Sequence, residues 1–263
     1  VALNLWFVLG LGWGVSGVAT ATLIAEWSGL AFGLWLTRDA FGPVLQAAWA
    51  RVFAAAPLRA MFTASRDIMG RSVLLQLSFT SFVFLGAWFG DATLAANQIL
   101  MQFLEITAYA LDGIAFAAET LVGQAVGARA LTEARRAGLI SMQWGFAGAF
   151  LLAGIFALTG PAIISLMTTA PDVQAEARQF LPWLIAAPVI GIASWIYDGI
   201  FIGALMTREM LRAMLISVVI YVAALAVLVP TLGNHGLWAS LMILNTVRAV
   251  TLWRAMPALE RRI

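Results

Sequence analysis

The chain has 263 residues, of which 62% are hydrophobic and 11% charged, and its mean hydropathy is +0.93. Soluble domains are about 45–50% apolar and about 25% charged, so a water-soluble globular domain is excluded and most of the chain must lie in lipid as several helices. The net charge is only +2, no basic cluster is interleaved with aromatics, there is no cysteine and there is one histidine. These counts give no sign of a nucleic-acid partner, exclude disulfides and thiolate chemistry, and leave little room for histidine catalysis or a resident metal.

The sequence starts at Val1 in a run that is already apolar, with neither an initiator Met nor the charged n-region of a signal peptide. It therefore reads as a piece whose upstream part is missing. Hydropathy predicts a stub over 1–11 and spans near 17–36, 72–90, 93–124, 138–160, 180–206, 211–230 and 236–254. Between the first two spans, 37–71 carries Arg38, Arg51, Arg59, Arg66 and Arg71 among alanines and large apolar residues. That composition predicts an interfacial amphipathic helix and linker. The expected domains are 1–36, closing one lobe, the linker 37–71, a six-helix block 72–254 and a tail 255–263.

Every basic residue is Arg, and thirteen of the fifteen fall in one set of alternate loops. Arg178 alone lies in the opposite set, and Arg248 lies inside the last span. By the positive-inside rule the linker and the C-terminus face the cytoplasm, while Asp91, Asp172, Glu176 and His235 face outward. Arg66 and Arg71, at the start of the 72–90 span, are expected to snorkel to the interface.

Two internal similarities appear. Residues 14–21 (GVSGVATA) resemble 233–240 (GNHGLWAS), a shift of 219 residues, and each opens a long apolar helix. If this is a repeat, the first span closes an earlier block of the same kind, and roughly 180 or more residues are expected upstream, as many as a matching six-helix lobe needs. Within the six-helix block, 112–118 (DGIAFAA) echoes 198–204 (DGIFIGA).

The chemistry must rest on ionisable groups at membrane depth, where a carboxylate is costly and seldom kept without a partner or a role. Five acids qualify: Glu26, Glu105, Asp112, Glu119 and Asp198. On the 93–124 helix, about 48 Å long at 1.5 Å per residue, Gln98, Glu105, Asp112 and Glu119 recur every seven residues and so share one face. That stripe is expected to line a bundle interior or a wet cavity. Tyr109 lies one turn from both Glu105 and Asp112. Asp198 is flanked by Tyr197 and stands one turn from Ser194, and the 219-residue shift sets Glu26 opposite Asn245. Asn97, with Gln76, Gln102, Gln124 and Gln143, is either interhelical glue or part of a cavity wall. No Lys is present, so a phosphate-binding GxxxxGK[ST] loop is impossible. Asp112-Gly113 opens like a CDP-alcohol phosphotransferase motif but lacks the later aspartates, and the lone His sits in a loop, away from any intramembrane serine.

Arg66-Asp67-Ile68-Met69-x-Arg71-Ser72 at a span entrance, Leu94-Ala95-Ala96-Asn97-Gln98, and Tyr109 to Glu119 running into Leu121-Val122-Gly123-Gln124-Ala125-x-Gly127-Ala128-Arg129 resemble the MATE (multidrug and toxic compound extrusion) transporters, and among them the DinF-like branch. The resemblance implies an all-α polytopic fold of twelve helices in two six-helix lobes. This chain would supply the end of helix 5, helix 6, the linker and the C-terminal lobe, in the plasma (inner) membrane. It further implies secondary antiport of an organic compound, often cationic or amphipathic, against H+ or Na+, with the bilayer and the missing N-terminal lobe as partners and no cofactor. In some branches an acid on helix 10 binds cations, and Asp198 matches its place, but their helix 7 carboxylate is absent from 72–90. The helix 1 aspartate implicated in DinF-like members lies outside this chain, so 263 residues alone are not expected to transport. The alternatives are a lipid-linked oligosaccharide flippase of the same superfamily, which needs a cationic cavity whereas the basic residues here fall in loops, and a non-transporting membrane scaffold.

Overall fold

The structure, a computed structural model, describes residues 2–45 and 53–262, so Arg51 lies outside the described residues. The described residues are helical, with no strand among them, and fall into two compact units, Val1–Arg59 and Ala60–Ile263.

In the first unit, α1 (Ala2–Leu5) widens into a π-helical segment, Trp6–Gly10, and the chain reverses into α2 (Gly14–Leu45). Gly12 and Gly14 carry φ of 68° and 53°, a region that costs residues with a Cβ about 1–2 kcal/mol. Gly17 lets α2 approach the stub, because a Cβ there would stand 3.2 Å from the Phe7 carbonyl carbon. The α2 helix outruns the expected 17–36 span. Arg38 folds back over the Trp35 ring, 5.3 Å from its centroid, which lets the charge sit on an aromatic face without ending the helix.

The second unit holds the six-helix block. Helix α3 (Ala55–Gly86) begins in the first unit and ends in a 3₁₀ turn, Ala87–Phe89. It is followed by α4 (Asp91–Gly127), α5 (Leu131–Met167), α6 (Pro171–Gly203), α7 (Thr207–Leu232) and α8 (Asn234–Glu260). Residues 55–71, expected to belong to an interfacial amphipathic helix and linker separate from the next span, are the first half of α3 and continuous with it. The other helices also exceed their expected lengths, and α5 runs on through Pro161, just past the expected end of its span at 160. Proline does not end a helix whose freed carbonyls are met by neighbouring segments in a setting where an open backbone is costly.

Helices α2 to α7 are long and apolar enough to cross a membrane. The expected seventh span, α8, does not meet that measure, since Asn234, His235, Asn245, Arg248 and Arg254 lower its hydropathy. Three of these residues, Asn234, Asn245 and Arg248, are instead buried inside the block with Leu237, Trp238, Leu241 and Leu244, while His235 and Arg254 are exposed.

Lipid supplies no hydrophobic force between helices, so close approach of small residues has to hold them together. Helix α6 packs directly on α4: Gly199 and Gly203 face the carbonyl oxygens of Ala115 and Glu119, leaving no room for a side chain, and Gly123 faces Gly203 in return. The two segments that echo each other in sequence thus lie side by side. Helix α3 is joined to the rest by side chains. Phe82 meets Trp238 edge-on at 5.0 Å, and Ser81 Oγ lies 3.0 Å from the Tyr221 hydroxyl.

The core forms two apolar layers. One gathers Leu100, Phe103, Phe156, Leu184, Tyr221 and Leu241, and the other Leu111, Val122, Ile196, Phe201, Met210 and Leu252. On α8 the gap between Leu244 and Leu252 holds Asn245 and Arg248, and on α4 the gap between Leu104 and Leu111 holds Glu105. At one end of the block Arg135 donates twice to Glu260, at 2.7 Å each, and Arg262 reaches the Leu205 carbonyl. Those hydrogen bonds hold the Glu260 carboxyl below the usual carboxylate range. At the opposite end Thr93 donates to Glu176 at 3.3 Å.

Candidate functional site

Between the apolar layers lies a charged cluster built from three helices, α3, α6 and α8. Asp198 on α6 accepts a hydrogen bond through Oδ2 from Arg71 Nη2 of α3, and Arg248 Nη2 of α8 stands 3.6 Å from the same oxygen. Arg248 Nη2 also donates to Ser194 Oγ at 2.9 Å, and Ser194 donates to the Gly191 carbonyl at 2.8 Å. Asn245 Oδ1 lies 3.4 Å from the same serine and donates through Nδ2 to the Leu241 carbonyl. Asp198 and Arg248 are buried, Arg248 at 1% exposure. One carboxylate thus faces two guanidiniums in a setting where an uncompensated charge is expensive. Arg248 Nε and Nη1 and Arg71 Nε are buried without a hydrogen-bond partner among the described residues.

A cavity of about 380 Å³ opens beside this cluster, with Arg248, Asn245 and Arg71 at its inner part and Gln76, Glu105 and Asp112 on its walls. Its apolar surface comes from Leu75, Phe79, Met101, Leu104 and Trp195. A second cavity of about 210 Å³ shares Arg71, Asp112 and Trp195 and adds Glu119 and Asp198. Of the heptad stripe of α4, Glu105, Asp112 and Glu119 line these cavities, and Gln98 lines neither. Gln98 and Glu105 are exposed and Asp112 and Glu119 half-buried, while the opposite face of α4, from Leu100 through Leu111 to Val122, is buried. Tyr109, 74% exposed, stands beside Glu105 at the mouth. Neither Asp112 nor Glu105 forms an ion pair with either guanidinium among the described residues.

Two sequence candidates lie elsewhere. Asn97 donates to Asn234 Oδ1 at 2.8 Å and accepts from Asn234 Nδ2 and Trp238 Nε1, both at 3.0 Å, so its polar atoms are engaged in joining α4 to α8. Glu26 is exposed on α2 in the first unit. Asn245, which the 219-residue shift sets opposite Glu26, does line the larger cavity.

The two arginines are corrections to the sequence reading. Arg71 does not snorkel; the helix starts at Ala55 rather than near 72, which moves Arg71 to mid-helix and against Asp198. Arg248 was counted with neither set of loops, yet a cation at the middle of a span demands an acid, and that demand was the signal to follow. Asp67 also lies on α3, buried, bonded to Arg66 at 3.0 Å and to Thr207 at 3.4 Å. Basic residues are thus present at depth as well as in loops.

The MatE family model matches residues 68–228. The DNA damage-inducible protein F of Escherichia coli (strain K12) is 37% identical, over 97% of this chain and 56% of that protein. The crystal structure of the Vibrio cholerae MATE transporter VcmN in the bent form has a TM-score of 0.80 at 19% identity, covering 99% of this chain and 59% of that one. A crystal structure of MATE in the straight conformation gives 0.81 at 22%, covering 99% and 60%. At such identities the structural likeness carries the fold alone. The chain spans a little over half the length of these relatives.

Proposed function

Because the chain belongs to the MatE family, we propose that it forms the C-terminal lobe of a secondary antiporter that exports organic compounds in exchange for H+ or Na+, and that it works with a second lobe. The membrane would be the plasma (inner) membrane, with the linker and the C-terminus on the cytoplasmic side. The observation that carries the reading is the cavity of about 380 Å³, within the range of drug-sized sites, whose walls bear two carboxylates that form no ion pair with an arginine among the described residues. Asp112 and Glu105 are available for ion binding, whereas Asp198 is already the counter-ion of Arg71 and Arg248. An ion that binds Asp112 with different affinity in two states of the lobe shifts the balance between them, which is all that coupling requires.

The test is efflux by the complete protein in vesicles with H+ and Na+ gradients imposed one at a time. Asp112→Asn should abolish gradient-driven efflux with normal insertion, and Glu119→Gln should cost much less. Wild-type efflux in Asp112→Asn overturns the coupling role.

Arg71 and Arg248 beside the cavity favour a second reading, a flippase for a lipid-linked oligosaccharide, since an anionic headgroup needs cations at depth. Three carboxylates in the same region, Asp198, Asp112 and Glu105, outnumber the two guanidiniums and disfavour a multiply charged pyrophosphate.

A further inference from the structure

The larger cavity is electrically graded. Its floor is basic: Arg248 is buried, and its Nε and Nη1, like Arg71 Nε, have no hydrogen-bond partner among the described residues. Asp198 faces one nitrogen of each guanidinium, so a single carboxylate is shared by two arginines, and neither Asp112 nor Glu105 forms an ion pair with them among the described residues. The mouth is acidic, with Glu105 exposed, Asp112 half-buried and the Tyr109 ring alongside. Between floor and mouth the wall is apolar, formed by Phe79, Met101 and Leu104. A simple organic cation would satisfy the mouth and leave the floor as it is. A simple anion would satisfy the floor and be repelled at the mouth.

We propose that the cavity selects amphipathic zwitterions, holding a carboxylate of the substrate at Arg248 and Arg71 and its ammonium at Glu105 and Asp112. This rests on the reading of the cavity as the export site and names the class of compound it takes. An orphaned guanidinium donor in a dry setting is costly, and a charge-assisted hydrogen bond to a carboxylate removes that cost. Ser194 holds Arg248 through one nitrogen, accepting from Nη2 at 2.9 Å, while Nε and Nη1 have no hydrogen-bond partner among the described residues. No covalent step is involved. The gradient predicts an orientation, with the acid group deep and the amine outermost.

Three fluorescent probes test this on the purified complete protein: Nα-dansyl-lysine, which has a carboxylate, an ammonium and an apolar ring system; its methyl ester, which keeps the ammonium; and Nα-dansyl-norleucine, which keeps the carboxylate. Dansyl-lysine should bind about tenfold or more tightly than either of the others, the factor one charge-assisted hydrogen bond supplies. In Arg248→Gln the acid and the ester should bind alike. Equal binding of acid and ester by the wild type overturns the proposal, and means that the free donors of Arg248 are met by the protein's other half rather than by substrate. Persistence of the acid preference in Arg248→Gln also overturns it. Should that variant not fold, the wild-type comparison decides alone. Gradient-driven efflux separates the two readings. Ester efflux without any acid preference sinks the zwitterion site and leaves export standing, and an acid preference with no efflux of any probe sinks export and leaves the site.

Discussion

Arg71 and Asp198, 127 residues apart in the chain, meet in an ion pair that ties α3 to α6 and stands between the two cavities. Arg248 Nη2 stands 3.6 Å from the same Oδ2, so that, among the described residues, Asp198 is the one acid facing two guanidiniums.

Neutralising it leaves buried Arg248 and half-buried Arg71 without their shared counter-ion. Breaking a buried pair by deleting one partner costs about 3–5 kcal/mol. Asp198→Asn is expected to lower the thermal unfolding midpoint and the yield of folded protein in detergent, and Arg71→Gln to do so less, because Arg71 is the more exposed partner at 18%. An unchanged midpoint in Asp198→Asn would show that the carboxylate is not the counter-ion described here. Loss of efflux in that variant, taken alone, says nothing about coupling.

The α4–α6 contact gives a sharper packing test. Alanine at Gly199 or Gly203 drives a Cβ into a backbone carbonyl oxygen, of Ala115 and Glu119 respectively, and neither can swing aside as a side chain does. Each substitution should destabilise by about 1–3 kcal/mol or more. Gly113→Ala is the control: nothing lies within 4 Å of a Cβ there, and alanine in a helix interior gains about 0.5–1 kcal/mol over glycine. Unfolding midpoints that move together in all three variants refute this account of the interface.

Asn97 separates a structural role from a coupling role. Asn97→Ala leaves Asn234 and the Trp238 indole N–H unpaired in the core, at a cost of about 1–3 kcal/mol. Ion-dependent efflux, normalised to folded protein, should be unaffected, since Asn97 does not reach either cavity. Loss of ion dependence at unchanged stability would make Asn97 a coupling residue after all.

Much of this was legible in the residues themselves. Hydropathy alone located the long helices of the block, and the seven-residue spacing of Glu105, Asp112 and Glu119 put them on one face, which the packing of Leu100, Leu111 and Val122 turns away from the core. The helix ends were not legible: Pro161, just past the expected end of the 138–160 span, punctuates a soluble helix but not one embedded among others. The Arg71–Asp198–Arg248 cluster was also hidden: its members come from three helices, and each taken singly has a bland explanation. Only the mid-span position of Arg248 implied a distant acid, without saying which.

Orientation in the membrane remains a matter for labelling, and the structure makes the experiment specific. The turn after α4 with Arg129, the start of α5 with Arg135 and Arg136, the start of α7 with Arg208, and the C-terminal Arg261 and Arg262 gather at one end of the block, linked by the Arg135 to Glu260 and Arg262 to Leu205 hydrogen bonds. The starts of α4 and α6, joined through Thr93 and Glu176, mark the other end. Arginine resists translocation, so the arginine-rich end should be cytoplasmic. The chain has no cysteine, which allows single exposed thiols to be introduced at will. Arg136→Cys and Arg208→Cys should be protected from an impermeant thiol reagent in intact cells and react once the cells are opened, while Asp172→Cys, at the far end, should react at once. Arg136 is chosen over Arg135 because the latter holds Glu260, and its loss would disturb the end being probed. Labelling of Arg136→Cys and Arg208→Cys in intact cells, with Asp172→Cys protected, would invert the topology and place the C-terminus outside.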